Sequence, residues 1–268
     1  MACSVRSASR TDGPHRCTEK TVTRRSPDRV ALVTGAARGL GQAFAERLAQ
    51  DGCRLVLVDR LDCAETLALV ERAGARGRAA FCDLADTTQI ENLGADVLAH
   101  EGRVDILVNN AAYQPPMPWD KLTPAILRRM LAINTEASFL LAQAFAHGMA
   151  ERGWGRIVNL ASSSAWAPPL GFTGYITTKM ANIGMTRSLA KELGDKGITV
   201  NAIAPGLTRT SAAAADVPQF VWDKVREQQL IPRAGEPRDQ VGALSFLCSD
   251  DAAFVTGQTY HVDGGATL

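Results

Sequence analysis

Short apolar runs alternate with longer amphipathic segments along the chain from Val30 onward. The short runs are apolar throughout, which is typical of parallel strands covered on both faces, and the longer segments repeat apolar residues at helical spacing. We therefore predict an α/β fold of one domain, a doubly wound parallel sheet (Rossmann fold) of about seven strands with helices on both faces. The predicted strands are RVALVTG, RLVLVDR, RAAFCDL, DILVNN, GRIVNLAS, ITVNAIAP and QTYHVDGG.

Two stretches depart from this alternation. Residues 1–28 are rich in arginine, serine and threonine and hold almost no large apolar side chains. We predict that they form a disordered basic extension before a domain over residues 29–268, and they lack the hydrophobic region of a secretory signal. Residues 207–237 contain no strand pattern, and an excursion of this length indicates a lid or substrate loop.

The composition argues against several classes of function. The chain has 268 residues, 46% of them hydrophobic, and a formal net charge of +1. A near-neutral charge gives no reason to expect a nucleic-acid or membrane partner, and no apolar run approaches the ~20 residues that a membrane span needs. The six cysteines have no zinc-binding spacing. We expect a cytoplasmic protein without a metal site.

A glycine-rich segment, TGAARGLG, follows the first predicted strand and opens a helix. Gly35, Gly39 and Gly41 leave the backbone bare, so a pyrophosphate could approach amide groups at the positive end of the helix. The spacing is GxxxGxG, not GxGxxG, but the position at the start of a βαβ unit supports the assignment. We predict a dinucleotide-binding turn that also includes Arg38 and Leu40.

The end of the second predicted strand bears on the choice of dinucleotide. Asp59 lies eighteen residues after Gly41, where a carboxylate can accept hydrogen bonds from the adenosine ribose. The same carboxylate would repel a 2′-phosphate, which favours NAD over NADP. Arg38 and Arg60 are the opposing signal, because either side chain could pair with a phosphate.

Later strand ends supply further candidates for cofactor binding. Asp83, followed by Leu84, could accept a hydrogen bond from the adenine amino group. Asn110 and Ala111 lie in the segment NNAA, whose small residues would let the chain pass close to the cofactor riboses. An Asn-Asn pair is otherwise an ordinary turn former.

A tyrosine and a lysine are placed four residues apart in the predicted helix TGYITTKM. Residues at this spacing are neighbours on a helix, so Tyr175 and Lys179 can lie close together. A surface tyrosine packed on a lysine stem is the alternative that this segment leaves open. Ser162 lies thirteen residues before Tyr175, at the end of the fifth predicted strand.

Together these motifs, in this order, resemble the short-chain dehydrogenase/reductase family over about residues 28–266. The family pattern is TGxxxGxG, NNAG, an asparagine in the following helix, a serine thirteen residues before tyrosine, and YxxxK. The segments APGLTRT and TGQTYHVDGG also match, and the departure is NNAA in place of NNAG. The matching positions are Thr34–Gly41, Asn109–Ala112, Asn134, Ser162, Tyr175 and Lys179.

The resemblance implies an oxidoreductase in which Tyr175 exchanges a proton with the substrate oxygen and Ser162 holds that oxygen. A free phenol has a pKa near 10, and the positive charges of Lys179 and of the nicotinamide are expected to lower it. Lys179 would also bind the nicotinamide ribose, and Asn134 would steady a water that links Lys179 to solvent.

The segment after the sixth strand is expected to lie beneath the nicotinamide. Pro205 and Gly206 would turn the chain there, and Thr208 or Thr210 could bind the carboxamide. The family pattern PGxxxT favours Thr210.

The residues expected to border the substrate are apolar and aromatic, which suits a hydrophobic secondary alcohol or ketone. The stretch from GWGRIVNLASSS to MTRSLA resembles NAD-dependent phenylethanol dehydrogenases of the family. A 3-oxoacyl-[acyl-carrier-protein] reductase, a sugar or polyol dehydrogenase and a non-catalytic nucleotide-binding homologue are the alternatives. The family resemblance implies a homotetramer. The bordering residues are Trp166, Pro168, Pro169, Phe172, Phe220 and Trp222.

Overall fold

Seven strands form one parallel sheet in the computed structural model, which describes residues 28–267 apart from the side chain of Ala212. All seven predicted strands are present, and the order across the sheet, β3-β2-β1-β4-β5-β6-β7, confirms the doubly wound fold. Apart from Asp28, the predicted disordered extension lies outside the described residues. The strands are β1 (Val30–Thr34), β2 (Arg54–Asp59), β3 (Gly77–Phe81), β4 (Ile106–Asn109), β5 (Gly155–Leu160), β6 (Ile198–Pro205) and β7 (Thr259–Val262).

Helices connect the strands, and local sequence signals start several of them. The Asp86 side chain accepts hydrogen bonds from two backbone amides of the first turn of α3, and Thr123 caps α4 ahead of a proline. Glu236 and Asp239 form a capping box on α9. The helices are α1 (Gly39–Gln50), α2 (Ala64–Arg72), α3 (Thr87–Glu101), α4 (Pro124–Leu131), α5 (Ala137–Glu151), α6 (Thr173–Leu193), α7 (Ser211–Asp216), α8 (Gln219–Gln228) and α9 (Pro237–Leu247).

Successive strand residues point into two separate cores, one on each face of the sheet. In β1, Ala31 and Val33 pack with α1, α2 and α9, whereas Val30 and Leu32 pack with α3 and α5. Both sets are fully buried. This double burial is the reason that the central strands β1, β2 and β4 are nearly unbroken apolar runs.

Two features of the chain path differ from simple periodicity. The continuous amphipathic pattern from α4 into α5 is interrupted by a π-helical turn, Ala132–Glu136, which carries Asn134 into the interior. The stretch 207–237, expected as a loop, contains α7 and α8. Within it Trp222, predicted to border the substrate, is buried, and its indole N–H donates to the carbonyl of Val217 at 3.2 Å.

The position of β1 between β2 and β4 creates the crevice of the fold. The chain runs outward from β1 to β3 and then returns to the other side of β1 to form β4. The loops after β1 and β4 therefore diverge at one edge of the sheet, which is where open α/β sheets bind their ligands.

Candidate active site

The loop after β4 holds the glycine turn after β1 in place. The Asn110 side-chain amide donates to the carbonyls of Thr34 (2.8 Å) and Gly35 (3.1 Å). In return the Thr34 hydroxyl accepts from the amides of Asn110 (3.0 Å) and Ala111 (3.1 Å). Asn110 was predicted as a cofactor contact, and its side chain is engaged in shaping the turn.

The glycines of this turn are required by space and by conformation. Gly35 and Gly39 have φ values of +65° and +62°, which favour glycine. A Cβ on Gly41 would overlap the Gly35 carbonyl oxygen, so the first turn of α1 can pack against the glycine turn only if residue 41 is glycine. The turn is thus a bare backbone surface, as the sequence predicted.

The first turn of α1 suits an anion. Arg38 is the N-cap, and no side chain caps the helix. The first turn contains no acidic residue. Leu40, predicted beside the cofactor, lies within this turn and is partly buried. The uncapped amides and the helix dipole fit the pyrophosphate of a dinucleotide.

Asp59 is fixed beside the glycine turn by two backbone amides. One carboxylate oxygen accepts from Ala37 at 3.0 Å, and the other accepts from Leu61 at 3.0 Å. The carboxylate therefore has a defined position next to the turn, as a contact to the ribose requires. Arg38 and Arg60, the two arginines that could favour a phosphate, are both exposed.

Asp83 has a charged neighbour that was not predicted. Its carboxylate accepts from the backbone amide of Ala85 at 3.0 Å and lies 3.6 Å from a guanidinium nitrogen of Arg129. The same guanidinium lies 5.7 Å from the ring centre of Tyr113. Leu84, predicted beside the cofactor, is buried.

Tyr175 and Lys179 lie on successive turns of α6, and both are buried, with 9% and 2% of their surface exposed. The Lys179 ammonium lies 5.5 Å from the centre of the Tyr175 ring and donates to the Leu160 carbonyl at 2.5 Å. Burial excludes the alternative of a surface tyrosine packed on a lysine stem. The ring of Phe172 meets that of Tyr175 edge to face, with centroids 6.0 Å apart.

The pKa of Tyr175 moves in the direction opposite to that expected from a neighbouring lysine. Burial raises it to about 12, and a hydrogen bond with Ser162 lowers it only in part. Burial lowers the pKa of Lys179 to about 8. Within the protein itself, removing the phenolate from water outweighs the stabilisation offered by its neighbours.

Ser162 stands at the carboxyl end of β5, where the strand gives way to a short 3₁₀ turn. Its hydroxyl accepts from the Ser164 amide at 3.3 Å and lies close enough to Tyr175 to lower the pKa of the phenol. Strand β5 and helix α6 thereby bring two residues thirteen positions apart to one point. Ser163 is buried in the turn.

Asn134 acts as a clamp between the π turn, the loop after β4 and α6. Its side-chain oxygen accepts from the Tyr113 amide at 2.7 Å, and its NH₂ group donates to the Tyr113 carbonyl and to the Thr178 hydroxyl, both at 3.0 Å. The Thr178 hydroxyl donates in turn to the Tyr175 carbonyl at 2.7 Å. Both side-chain donors of Asn134 are therefore engaged by the protein.

The segment after β6 closes over the glycine turn. A Cβ on Gly206 would lie 2.8 Å from the Asp263 Cα, so Pro205 and Gly206 make a tight contact with the loop after β7. The buried hydroxyl of Thr208 donates to the Gly206 carbonyl at 2.9 Å. Thr210 caps α7, and its methyl group lies 3.2 Å from the position that a Cβ on Gly39 would take. Thr210 thus reaches the cofactor crevice, and Thr208 is engaged within its own turn.

Three contributors to the site were missed in the sequence: Arg129, Asn182 and His261. The ring of His261 lies edge-on to Trp166, with centroids 4.1 Å apart, and so joins a predicted substrate-bordering residue to the loop after β7. These partners come from distant parts of the chain, and no local motif signals them. Residues 28–267 contain no group of three or more metal-ligating side chains, and none of their helices is long and apolar enough to cross a bilayer.

Comparison with known proteins agrees with this geometry. The family model described as Enoyl-(Acyl carrier protein) reductase matches residues 35–267. The chain is 37% identical over 255 residues to human dehydrogenase/reductase SDR family member 4, covering 91% of this chain and 90% of that protein.

A second relative is the (2S)-[(R)-hydroxy(phenyl)methyl]succinyl-CoA dehydrogenase subunit BbsD of Thauera aromatica. It is 38% identical over 252 residues, covering 90% of this chain and 97% of that protein. Among solved structures, a gluconate 5-dehydrogenase from Burkholderia cenocepacia J2315 in complex with NADP and tartrate superposes with a TM-score of 0.85. That protein is 32% identical, with 91% of this chain and 97% of the other covered.

Proposed function

The chain belongs to the short-chain dehydrogenase/reductase family of oxidoreductases, and on that premise we propose that it interconverts a secondary alcohol and a ketone. We propose NAD as the cofactor and a hydrophobic substrate with an aromatic or alicyclic ring. The observation that carries the reaction type is that Ser162 lies close enough to Tyr175 to lower the pKa of the phenol, while the buried Lys179 ammonium lies 5.5 Å from the centre of the tyrosine ring.

In alcohol oxidation Ser162 holds the substrate oxygen and Tyr175 takes the hydroxyl proton; in ketone reduction Tyr175 returns it. Lys179 keeps a positive charge beside the phenol and binds the nicotinamide ribose. The nicotinamide cofactor supplies the hydride acceptor or donor, and its positive oxidised ring opposes the effect of burial on Tyr175. Asn134 ties α6 to the loop after β4, which supports the alignment of these groups.

The preference for NAD rests on Asp59. Two backbone amides fix its carboxylate beside the glycine turn, where it accepts from the ribose hydroxyls and repels a 2′-phosphate. The opposing consideration is the related gluconate 5-dehydrogenase, which was solved with NADP. Because the side chains of Arg38 and Arg60 are exposed, they are free to turn toward a phosphate, so the cofactor has to be measured.

The substrate class rests on the surroundings of Tyr175. Phe172 packs edge to face against the phenol, and Trp166 is 45% exposed. Rings at these positions suit an apolar body next to the reacting carbon. The relative from Thauera aromatica is named for a substrate with a hydroxy(phenyl)methyl group, which agrees with an aromatic secondary alcohol.

Two other substrate classes have support from the relatives. The relative from Thauera aromatica is named for a CoA thioester, which supports an acyl thioester as the substrate, as in a 3-oxoacyl reductase. The gluconate 5-dehydrogenase favours sugar acids and polyols. A non-catalytic nucleotide-binding role is disfavoured because Ser162, Tyr175 and Lys179 are all retained and brought together.

We also infer a cytoplasmic homotetramer that packs through α5, α6 and β7. Phe139 on α5 and Met180 on α6 are large apolar side chains that are 44% and 48% exposed, and β7 is an edge strand. Light scattering coupled to size exclusion measures the assembly directly, and a monomer would refute this inference.

The test of the function is a substrate panel followed by reduced-nicotinamide absorbance. The panel contains 1-phenylethanol, cyclohexanol, a polyol and a sugar acid with NAD⁺ or NADP⁺, and a 3-oxoacyl thioester with NADH or NADPH. We expect turnover of the ring-bearing alcohols with NAD⁺. Tyr175→Phe should lower kcat by a factor of about 10²–10⁴ while NAD⁺ still binds. Activity only on the thioester with NADPH, or an active Tyr175→Phe enzyme, would overturn the proposal.

A further inference from the structure

Asn182 lies on α6 three residues after Lys179 and is 1% exposed. Its side-chain NH₂ group donates to two main-chain carbonyls, that of Asn134 at 2.8 Å and that of Leu160 at 3.5 Å. One side chain thus joins the π turn, the end of β5 and the active-site helix.

The Leu160 carbonyl is also the acceptor for the Lys179 ammonium, at 2.5 Å. Lys179 and Asn182 therefore converge on one oxygen atom in the interior. The Asn134 carbonyl is a second acceptor beside the same amide. Because the Asn182 NH₂ group donates to it, the π turn is held against the end of β5, where the ammonium is bound.

The side-chain oxygen of Asn182 indicates that these hydrogen bonds do not serve to stabilise the fold. The Asn182 side-chain oxygen is buried and has no hydrogen-bond partner among residues 28–267. The orientation cannot be reversed, because the two carbonyls require donors. A buried polar atom without a partner destabilises a fold, and an apolar side chain of similar size would avoid that loss.

We propose that Asn182 is a positioning residue for Lys179, confining the ammonium to the Leu160 carbonyl and so keeping it beside the Tyr175 ring. The proposal rests on the proposed roles of Tyr175 and Lys179. Without the Asn182 NH₂ group the Leu160 carbonyl loses its second side-chain donor and is no longer tied to the π turn, so the acceptor that holds the ammonium can shift. The mean distance between the ammonium and the phenol then increases, and the phenolate is less stabilised.

Few groups face Lys179, so weaker stabilisation of the Tyr175 phenolate should appear as a shift in the pH profile of the reaction. From α6 the titratable neighbour is Tyr175, 5.5 Å away at its ring centre. β5 contributes the Leu160 carbonyl, and the π turn contributes the neutral amide Asn134. Burial is the cause that lowers the pKa of Lys179. An ammonium that lies farther from the phenol stabilises the phenolate less, so Tyr175 ionises at a higher pH.

The test is the pH dependence of kcat/KM for alcohol oxidation in wild type and Asn182→Leu. We expect the ascending limb to move up by about one pH unit, so that the rate falls about tenfold below the midpoint and converges with wild type at alkaline pH. KM for the alcohol changes less than kcat. Asn182→Ala, which removes the same donors without adding bulk, carries the same expectation.

The matched control is Asn201→Leu on β6. Asn201 is also 1% exposed and makes two main-chain hydrogen bonds, to Val255 and Gln258, away from the catalytic groups. It should lower stability and leave the midpoint unchanged. A uniform loss at every pH in the Asn182 variants, or an unchanged profile, would overturn the positioning role. A wild-type protein without dehydrogenase activity would instead overturn the proposed function.

Discussion

Replacing Lys179 by methionine should stabilise the protein while it removes activity. Lys179 is buried, and its recorded partners are the Leu160 carbonyl and the face of the Tyr175 ring, with no carboxylate among the described contacts. Burial lowers its pKa from 10.5 to about 8, so below pH 8 the folded state carries an ionised group that would be more stable in water. Methionine is unbranched, similar in length and uncharged, so it removes this penalty without opening a large cavity.

The size of the effect follows from the pKa. Each pKa unit corresponds to about 1.4 kcal/mol, so the lowered pKa of Lys179 opposes folding by about 3 kcal/mol at pH 7. Loss of the hydrogen bond to Leu160 offsets about 1 kcal/mol. The variant should therefore be about 2 kcal/mol more stable, which for a domain of this size raises Tm by about 4–8 °C.

The pH dependence has a definite sign. Between pH 8 and 10.5 the unfolded chain holds a proton on Lys179 that the folded chain has released. Wild-type stability contributed by this group therefore rises with pH across that window, and the variant lacks the rise. The advantage of Lys179→Met should shrink above pH 8 and vanish near pH 10.

Equilibrium urea unfolding of wild type and variant at pH 7 and pH 10, at one protein concentration, measures the difference directly. At pH 7 Tyr175, whose pKa burial raises to about 12, is neutral in both folded proteins, and the ionisation of groups that do not contact Lys179 cancels in the comparison. Lys196→Met is the control, because Lys196 is exposed and its replacement should change stability by less than about 0.5 kcal/mol. A variant that is less stable than wild type at pH 7, or an advantage that does not depend on pH, would refute the reasoning.

Three further substitutions test the cofactor and substrate sites. Asp59→Ala should weaken NAD⁺ binding about tenfold and improve NADP⁺ binding, because it removes a charged hydrogen-bond acceptor and the repulsion of a 2′-phosphate; calorimetric titration with both cofactors measures the change, and a wild type that already prefers NADP⁺ contradicts it. Gly41→Ala places a methyl group against the Gly35 carbonyl and 2.6 Å from the Asn110 side-chain nitrogen, so the turn must open; we expect NAD⁺ affinity to fall at least about tenfold in the same titration, since overpacking costs about 1–3 kcal/mol, and wild-type affinity would exclude the tight turn. Phe172→Ala removes the ring that meets Tyr175 and should raise KM for 1-phenylethanol about tenfold with a smaller change in kcat; steady-state kinetics decide, and an unchanged KM would move the substrate away from this wall.

Much of the fold could be predicted from the sequence because its signals are local. The strands are short, mainly apolar runs, and the positions of the helices follow from an apolar periodicity that can be recognised over a few turns. The bare turn at Gly35–Gly41 follows strand β1 directly. Ser162, Tyr175 and Lys179 are close in the chain, so the order of one strand and one helix already implies that they meet.

The parts that sequence reasoning missed depend on contacts between distant segments. Nothing near Arg129 indicates that it lies 3.6 Å from Asp83, 46 positions away. The π turn at Asn134 interrupts a pattern that is continuously amphipathic. The folding of α7 and α8, which buries Trp222, was not predicted either.

Residue type and spacing, which act over one or two turns of chain, determined by themselves the doubly wound sheet and the glycine turn, and the family resemblance of the motifs pointed to the candidate catalytic residues. Tertiary structure alone decided how far each of these groups is withdrawn from water. That withdrawal raises the pKa of Tyr175 to about 12 and lowers that of Lys179 to about 8, opposite to what the neighbouring charge suggested for the tyrosine. The physical reason is that desolvation depends on every segment packed around a side chain, and this environment is assembled only when the whole sheet and its helices come together.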